Sequence, residues 1–262
     1  MTELIDAMTE AAHGAGQYLL ELPRRAPATT LADFRTRFDA IDAPVAALLR
    51  ERLLPLRPEA AWVDEFDDSS SAAGEAWVCD ATDGAVQYLQ GLPQWCVTLT
   101  LVRDGEPVAV VLHNPLLKET YTAEAGAGAF RNGERITPSA KAEPQAALVA
   151  TSQPPFAAAQ PEALREAGRS LTAVLLVAGA VRNLGPTSWQ LADVAAGRID
   201  AFWEYGRDDA NLLPGVLLAR ESGATVTDAA GAPWRLGATS ILVAGPKLHP
   251  LMLAALRAGE SD

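Results

Sequence analysis

The segment WVCDATDGAVQY at residues 77–88 places two aspartates, Asp80 and Asp83, three positions apart at the end of an apolar run. Two carboxylates that close repel each other unless a cation neutralises them or one of them holds a proton. Mg²⁺ prefers carboxylate and carbonyl oxygens, and the Ala81 carbonyl lies between the two aspartates. Gly84 allows a sharp turn into a following helix, whose first amide groups can face an anion. Taken alone, the pattern also suits an aspartate-rich turn that caps a helix.

The sequence around this segment predicts an antiparallel meander. Residues 60–63 (AAWV) and EAWVCD, which ends at Asp80, have the composition of strands. Two later apolar runs are joined at Asp104-Gly105, and a further pair is joined at Asn132-Gly133. Both dipeptides are typical of tight hairpin turns, so consecutive strands should pair antiparallel.

Helical and mixed segments flank the meander. Apolar residues at helical spacing predict a helix over about 3–21 and a second over about 40–54. In the second half, strand-like stretches at 147–152 and 240–245 alternate with segments of helical character. This alternation predicts layers of helices and sheets, with a mixed α/β second half.

Composition restricts the function classes. The chain has 262 residues, is 49% hydrophobic and carries a formal net charge of −12. Such a charge repels phosphate backbones and anionic membrane surfaces, so neither a nucleic acid nor a membrane is expected as a partner. Only two cysteines occur, Cys79 and Cys96, which indicates a cytoplasmic protein with no disulfide framework.

Four stretches resemble the inositol monophosphatase family. One of them, GAGAFRNGERITPS at 126–139, is similar to its G-x-G-A-[FW]-x-N-G segment. Residues 77–115 follow that family's order of a D-P-[IL]-D-G-T turn, a G-x-P, an apolar strand and a hairpin that ends in N-P. VRNLGPTSWQLADVAAGRIDAFWE at 181–204 is similar to its R-x-x-G-[ST]-A-A segment, and PGVLLARESGATVTD at 214–228 is similar to its final segment. The resemblance covers most of residues 30–245.

The resemblance implies a fold and a partner. The expected fold is an α/β, five-layered αβαβα sandwich of the sugar phosphatase type, with an antiparallel N-terminal sheet and a mixed second half. Residues 1–262 would form a single unit, with approximate halves at 1–145, which binds metal, and 146–262. The family also implies a homodimer.

The resemblance also implies a set of metal ligands. They are Asp64, Glu65, Asp80, the Ala81 carbonyl, Asp83 and Asn211. Asp64 takes the place of a family glutamate, and Glu65 stands beside it. Asn211 takes the place of the last metal-binding aspartate, so the site loses a charge and a second Mg²⁺ should bind more weakly. Asp208 and Asp209 lie just upstream and would replace it only if the loop shifts.

The catalytic positions implied by the resemblance are Asp64, Asp80, Asp83 and Ala85. The family has a threonine where this chain has Ala85, and its hydroxyl helps to orient the attacking water. Loss of such a contact is worth about 10²–10⁴-fold in rate. Asp39 matches a family aspartate near the metals, or else caps the next helix. The implied substrate-binding positions are Gly84, Ala85, Gly185, Thr187, Glu204 and Asn211.

These expectations lead to one main function and two alternatives. The main one is hydrolysis of a small phosphate monoester, such as an inositol, sugar or polyol phosphate, by a water that two or three Mg²⁺ ions activate. Ala85 and Asn211 favour the first alternative, a catalytically silent relative that binds a phosphorylated metabolite or a protein partner. The second alternative is lyase or transferase chemistry on the same scaffold.

Overall fold

The computed structural model describes residues 2–23, 27–63 and 74–259. Its helices are α1 (Glu3–Glu21), α2 (Leu31–Leu53), α3 (Ala85–Gln90), α4 (Pro161–Leu175), α5 (Thr187–Ala195), α6 (Asp209–Ser222) and α7 (His249–Gly259). Its strands are β1 (Ala61–Val63), β2 (Glu75–Asp83), β3 (Cys96–Arg103), β4 (Glu106–Asn114), β5 (Glu119–Glu124), β6 (Gly128–Arg131), β7 (Glu134–Arg135), β8 (Leu148–Thr151), β9 (Ala180–Arg182), β10 (Ala201–Tyr205), β11 (Thr225–Thr227) and β12 (Ser240–Ala244). No helix in these ranges is long and apolar enough to cross a membrane.

The first sheet is the meander that the sequence predicts. Its strand order is β1-β2-β3-β4-β5-β6-β7, and every neighbouring pair is antiparallel except β1 and β2, which are parallel. Both predicted hairpin turns are confirmed. Asp104 and Gly105 have φ angles of 50° and 79°, and Asn132 and Gly133 have φ angles of 49° and 81°. Two successive positive φ angles match the twist of the flanking strands.

The second sheet is mixed, as the sequence predicts. Its strand order is β11-β12-β10-β8-β9, in which β8 is parallel to both β9 and β10, whereas β12 is antiparallel to its neighbours. Parallel strands need helical crossovers, and α4 and α5 provide them.

Four apolar cores separate five layers. Helices α1 and α2 pack on the outer face of the first sheet, around Trp77 and Leu99. Helices α5 and α6 fill the space between the two sheets. Helices α4 and α7 pack on the outer face of the second sheet, around Trp203 and Leu242. The order is therefore helix, sheet, helix, sheet, helix, which confirms the expected αβαβα sandwich.

Two boundaries and one helix differ from the sequence prediction. Helix α2 begins at Leu31 rather than near residue 40, with Thr30 as its N-cap, so Asp39 lies inside the helix and does not cap it. The early turns were missed because the buried residues of α2 begin only at Val45, which leaves no apolar periodicity before it. Helix α4 was not predicted, and its buried residues are only Ser170 and Val174. Strand β2 continues three residues past Asp80, to Asp83.

Candidate active site

The two aspartates of the opening segment lie on β2 at a bulge. Asp80 pairs with Thr98 and Asp83 with Cys96, so β2 carries one more residue than β3 between these pairs. In a regular strand, residues three apart face opposite sides of the sheet. The extra residue interrupts that alternation and re-aims the side chains. Asp80 is fixed by its own turn, because its Oδ1 accepts a hydrogen bond from the Thr82 amide at 2.7 Å.

The glycine after Asp83 is required by the backbone. Gly84 has a φ angle of 87°, in the left-handed region, and directly precedes α3. A Cβ atom at this position would lie 2.9 Å from the Gln94 carbonyl oxygen and 3.2 Å from Trp95. Gly185 meets the same residue, since its Cβ would lie 2.7 Å from Cβ of Gln94. The predicted substrate residues Gly84 and Gly185 therefore both lie against Gln94.

Asp83 is a buried carboxylate with two side-chain partners. It is 5% exposed, and its Oδ2 accepts hydrogen bonds from the Ser188 hydroxyl and from Sγ of Cys96, the latter at 3.8 Å. Burial raises the pKa of Asp83 to about 7, and the charge of Asp208 adds to the effect, whereas the hydrogen bond from Ser188 opposes it. Asp83 therefore sits where its charge calls for a compensating proton or cation.

Two further carboxyls form a buried pair beside it. Glu204 is 1% exposed and Asp208 is 5% exposed. Thr187 donates its hydroxyl hydrogen to Oε2 of Glu204 at 3.1 Å, and Asn211 donates its amide hydrogen to Oδ1 of Asp208 at 2.7 Å. Burial raises the pKa of Glu204 well above its usual value and that of Asp208 to about 6. A protonated Glu204 donates to Asp208, and without that proton Glu204 Oε1 and Asp208 Oδ2 have no partner.

Asp208, and not Asp209, faces this cluster. The Asp209 carboxylate accepts hydrogen bonds from Nε of Arg207 at 2.9 Å and from the Gly237 amide at 2.8 Å. Asp208 is the N-cap residue of α6 and lies one helical turn before Asn211. Matching to the family motif placed the last metal-binding carboxylate at position 211, where this chain has Asn211. The motif alone could not show that Asp208, one helical turn earlier, brings a carboxylate to the same place.

Ser188 is the residue at this site that sequence reasoning missed. The related motif reads G-[ST]-A-A, whereas this chain reads GPTS at 185–188 and so has hydroxyls at Thr187 and Ser188. In the structure both hydroxyls donate to buried carboxylates, one to Glu204 and one to Asp83. The signal was present in the sequence as two hydroxyls where the motif has two alanines.

Among the described residues, no basic side chain is found to neutralise the buried carboxyls. Within residues 2–23, 27–63 and 74–259, no lysine or arginine is among the groups that shift the pKa of Asp83, Glu204 or Asp208. In the same ranges, no three acidic, histidine or cysteine side chains are placed together as a metal site. The predicted ligands Asp64 and Glu65 lie outside the described residues.

The family assignment follows from comparison with known proteins. A family model, the inositol monophosphatase family, matches residues 1–261. The chain belongs to the inositol monophosphatase family. This family member is 32% identical over 253 residues to an inositol-1-monophosphatase of Rhizobium meliloti, which covers 91% of the chain and 90% of the relative. It is 28% identical over 255 residues to the Nus factor SuhB of Pseudomonas aeruginosa, which covers 97% and 88%.

Solved structures agree with this assignment. A structure of inositol monophosphatase from Anabaena matches with a TM-score of 0.81 at 26% identity, over 97% of this chain and 95% of that chain. The sequence resemblance is therefore confirmed at the level of family and fold. The relatives carry two kinds of name, a phosphatase and a Nus factor. The family and its inositol-1-monophosphatase members support a phosphatase-type enzyme, without specifying the substrate.

Proposed function

We propose that this inositol monophosphatase family protein is a phosphatase that hydrolyses a small phosphate monoester with the help of Mg²⁺. The observation that carries the proposal is the group of buried carboxyls, Asp83, Glu204 and Asp208, next to the bulged turn of β2 and without a basic counter-ion in the described residues. Buried like charges are costly unless a proton or a cation compensates them. A catalytic cation site would explain why these carboxyls are buried together without a basic partner.

The described donors fit Mg²⁺ as a partial ligand set, because fewer than three acidic side chains are gathered at one point in the described ranges. Mg²⁺ is often bound by one or two protein carboxylates, with waters and substrate phosphate as its other ligands. Asp80, the Ala81 carbonyl and Asp83 would supply such a set. Asp208 would offer the carboxylate that Asn211 lacks through its buried Oδ2, which has no partner once Glu204 has lost its proton. Asp64 and Glu65 remain proposed ligands from the resemblance. When bound, Mg²⁺ supplies a water of lowered pKa and stabilises charge on the phosphoryl group.

The chain's own residues hold this arrangement in place. The Ser188 hydroxyl fixes Oδ2 of Asp83. Asn211 fixes Oδ1 of Asp208, so that Oδ2 is the oxygen that would bind a cation. We propose that Gly84, Ala85, Gly185 and Thr187 border the phosphate and the alcohol of the substrate. Because Ala85 has no hydroxyl, turnover is expected to be slower than with threonine at this position.

A homodimer in the cytoplasm is part of the same proposal. The family resemblance supports the dimer, and the two free cysteines, Cys79 and Cys96, support a reducing compartment. Light scattering of the purified chain at several concentrations tests the dimer directly.

The experiment is phosphate release from a panel of phosphate monoesters with and without Mg²⁺, together with Mg²⁺ binding by calorimetry. Asp80→Asn is expected to lose both binding and turnover. Asp104→Asn is the matched control, because Asn-Gly also forms the hairpin turn and Asn can accept the hydrogen bond from the Gly74 amide. Equal background rates for the unmodified chain and Asp80→Asn would overturn the proposal and favour the silent relative.

A further inference from the structure

Residues 183–186, here called the 183–186 turn, connect β9 to α5 and lead directly into Thr187 and Ser188. The turn belongs to neither element, so its backbone N–H and C=O groups need partners elsewhere. Gly185 in this turn has a φ angle of 147°, and a Cβ atom there would lie 2.7 Å from Cβ of Gln94. The backbone of the turn therefore packs directly on Gln94.

The Gln190 side chain holds this turn from the interior of the protein. Gln190 lies on α5 and is 1% exposed. Its Oε1 accepts a hydrogen bond from the Leu184 amide at 3.0 Å, and its Nε2 donates to the Gly185 carbonyl at 2.9 Å. Nε2 also has longer contacts of 3.5 Å with the Thr151 carbonyl and with Oδ1 of Asn183. One buried amide thus binds two successive residues of the turn.

The chain on which the turn packs is held by a second buried amide. Asn114 is buried on β4, and its Nδ2 donates to the Pro93 carbonyl at 2.8 Å. Pro93 precedes Gln94, whose carbonyl oxygen lies 2.9 Å from the Cβ position of Gly84. Gln94 is therefore fixed from the first sheet, whereas the 183–186 turn is fixed from α5. The position of the turn relative to Gly84 then depends on the side chain that holds the turn.

The first two turns of α5 have separate roles for their hydroxyl and amide side chains. The hydroxyls of Thr187 and Ser188 donate to buried carboxylates, those of Glu204 and Asp83. Gln190, in contrast, binds the 183–186 turn. Loss of the Gln190 amide should therefore release the turn and leave the bonds to the carboxylates in place.

We propose that Gln190 is a positioning residue that sets the affinity for the alcohol part of the substrate, because it holds the 183–186 turn against Gln94. This inference rests on the proposed phosphatase function. In that function the phosphate lies at the aspartate turn (residues 80–84), next to Gly84, and Gly185 borders the alcohol. Gln190 then acts on substrate binding and not on Mg²⁺ or on the attacking water.

The first test is steady-state kinetics of Gln190→Met, in which the side chain has a similar length but no amide. The substrate is the phosphate monoester that the unmodified chain hydrolyses fastest. We expect KM to rise about 10-fold or more, because a shift of about 1 Å in a positioning element is costly. The kcat and the Mg²⁺ affinity should stay within about threefold, as when binding common to substrate and transition state is lost. An unchanged KM, or a parallel loss of Mg²⁺ affinity, would overturn the inference.

Thr227→Val is the matched control for loss of stability. It also replaces a buried polar side chain with an apolar one, and it removes a hydrogen bond to the Asp228 carbonyl at 2.8 Å. Thr227 lies on β11, the edge strand of the second sheet, against His249 of α7. Both variants should unfold at lower urea concentration, but only Gln190→Met should raise KM. A rise of KM in both variants would contradict a specific role of Gln190. If Gln190→Met does not fold, Gln190→Asn, whose amide is one methylene too short to reach the turn, is measured with the same expectations.

A binding measurement separates this inference from the proposed activity. Calorimetry in Mg²⁺ would compare methylphosphonate with the phosphonate analogue of the best ester, or of inositol 1-phosphate if no ester is hydrolysed. We expect Gln190→Met to weaken binding of the analogue about 10-fold or more and that of methylphosphonate by at most about threefold. If no ester is hydrolysed but this difference is found, the phosphatase proposal fails and the role of Gln190 stands. Equal effects on the two phosphonates, or no binding of either, would overturn the inference.

Discussion

The Ser188 hydroxyl donates a hydrogen bond to Oδ2 of Asp83, although 105 positions separate the two residues in the sequence. Asp83 ends β2 in the first sheet, and Ser188 lies in the first turn of α5, in the central helix layer. The contact therefore fixes the aspartate turn against the middle of the sandwich. It also depends on a hydroxyl that the related G-[ST]-A-A motif does not have.

The first prediction concerns this hydrogen bond. Ser188→Ala should weaken Mg²⁺ binding about 10-fold or more, because a hydrogen bond to a charged group is worth about 1.5–3 kcal/mol. Calorimetric titration with Mg²⁺ measures the effect. Ser222→Ala is the control, since this buried helical serine donates only to the Ala219 carbonyl and has no contact with the cluster. Similar Mg²⁺ affinities in the two variants would show that Ser188 has no positioning role.

The second prediction separates two adjacent aspartates. Asp208→Asn removes the buried carboxylate beside Asp83, and we expect the Mg²⁺ affinity and kcat/KM to fall about 10-fold or more, as for loss of a charged ligand. Asp209→Asn removes a carboxylate that is bonded to Arg207 and the Gly237 amide, and it should retain both values within about twofold. If Asp209→Asn lowered the Mg²⁺ affinity and kcat/KM more than Asp208→Asn did, Asp209 and not Asp208 would supply the carboxylate that Asn211 lacks.

Local chemistry made much of the fold predictable. The turns at Asp104-Gly105 and Asn132-Gly133 need only two residues in the left-handed region, so their sequence alone predicts the meander. The start of α2 was missed because its first turns face solvent and carry no apolar periodicity. A helix turn that faces solvent on all sides has no periodic apolar residues, and helix prediction from sequence depends on that periodicity.

The site was less predictable than the fold. Asp80 and Asp83 are near neighbours, so the sequence could place them together. Asp208 and Ser188 join them only through the packing of α5 and α6 between the sheets, and no local pattern indicates which of several acidic or hydroxyl side chains points inward. The roles of Asp64 and Glu65 stay predictions.

The third prediction concerns the missing hydroxyl at the start of α3. Ala85→Thr introduces the hydroxyl that the family motif carries, and kcat should rise by about 10²-fold or more if water orientation limits the rate. Ala85→Val is the matched control, because valine has the same shape and branching without the hydroxyl. Steady-state kinetics on one phosphate monoester measures both. An equal change in the two variants would assign the effect to side-chain volume and not to a proton-relay contact.

The fourth prediction concerns pH and His113, which pairs with Val97 on β3, one strand beyond the residues that pair with Asp80 and Asp83. Its Nδ1 is 2.9 Å from the Thr120 hydroxyl, which also contacts Nε2 of His13 at 3.0 Å. Burial lowers the pKa of His113 from 6.5 to about 4, and the neighbouring His13 adds to the effect. The unfolded chain therefore binds a proton at a higher pH than the folded chain does. Stability is retained above pH 6.5 and is lost as the pH falls from 6.5 towards 4.

The measurement is urea unfolding at several pH values between these limits. The His113 contribution should reach on the order of 3 kcal/mol, from 1.36 kcal/mol for each pKa unit. His113→Asn has no ionisable group, so the difference in unfolding free energy between it and the unmodified chain should shrink as the pH falls. A difference that is constant across this pH range would contradict the pKa shift of His113.

The fifth prediction compares two glycines at the two ends of α3. Gly84 and Gly91 both adopt left-handed φ angles, 87° and 75°. A Cβ at Gly91 meets no atom within 4 Å, so Gly91→Ala pays only the backbone strain, about 1–2 kcal/mol. A Cβ at Gly84 meets the Gln94 carbonyl at 2.9 Å, and Gly84→Ala must also displace the chain at Gln94, against which both candidate substrate glycines lie. We therefore expect Gly84→Ala to lower the unfolding free energy by about 1–3 kcal/mol more than Gly91→Ala, as overpacking does. It should also reduce Mg²⁺ binding, which Gly91→Ala should leave unchanged.

Equal unfolding free energies for the two variants, by urea titration, would mean that the close approach of Gly84 to Gln94 does not hold the aspartate turn.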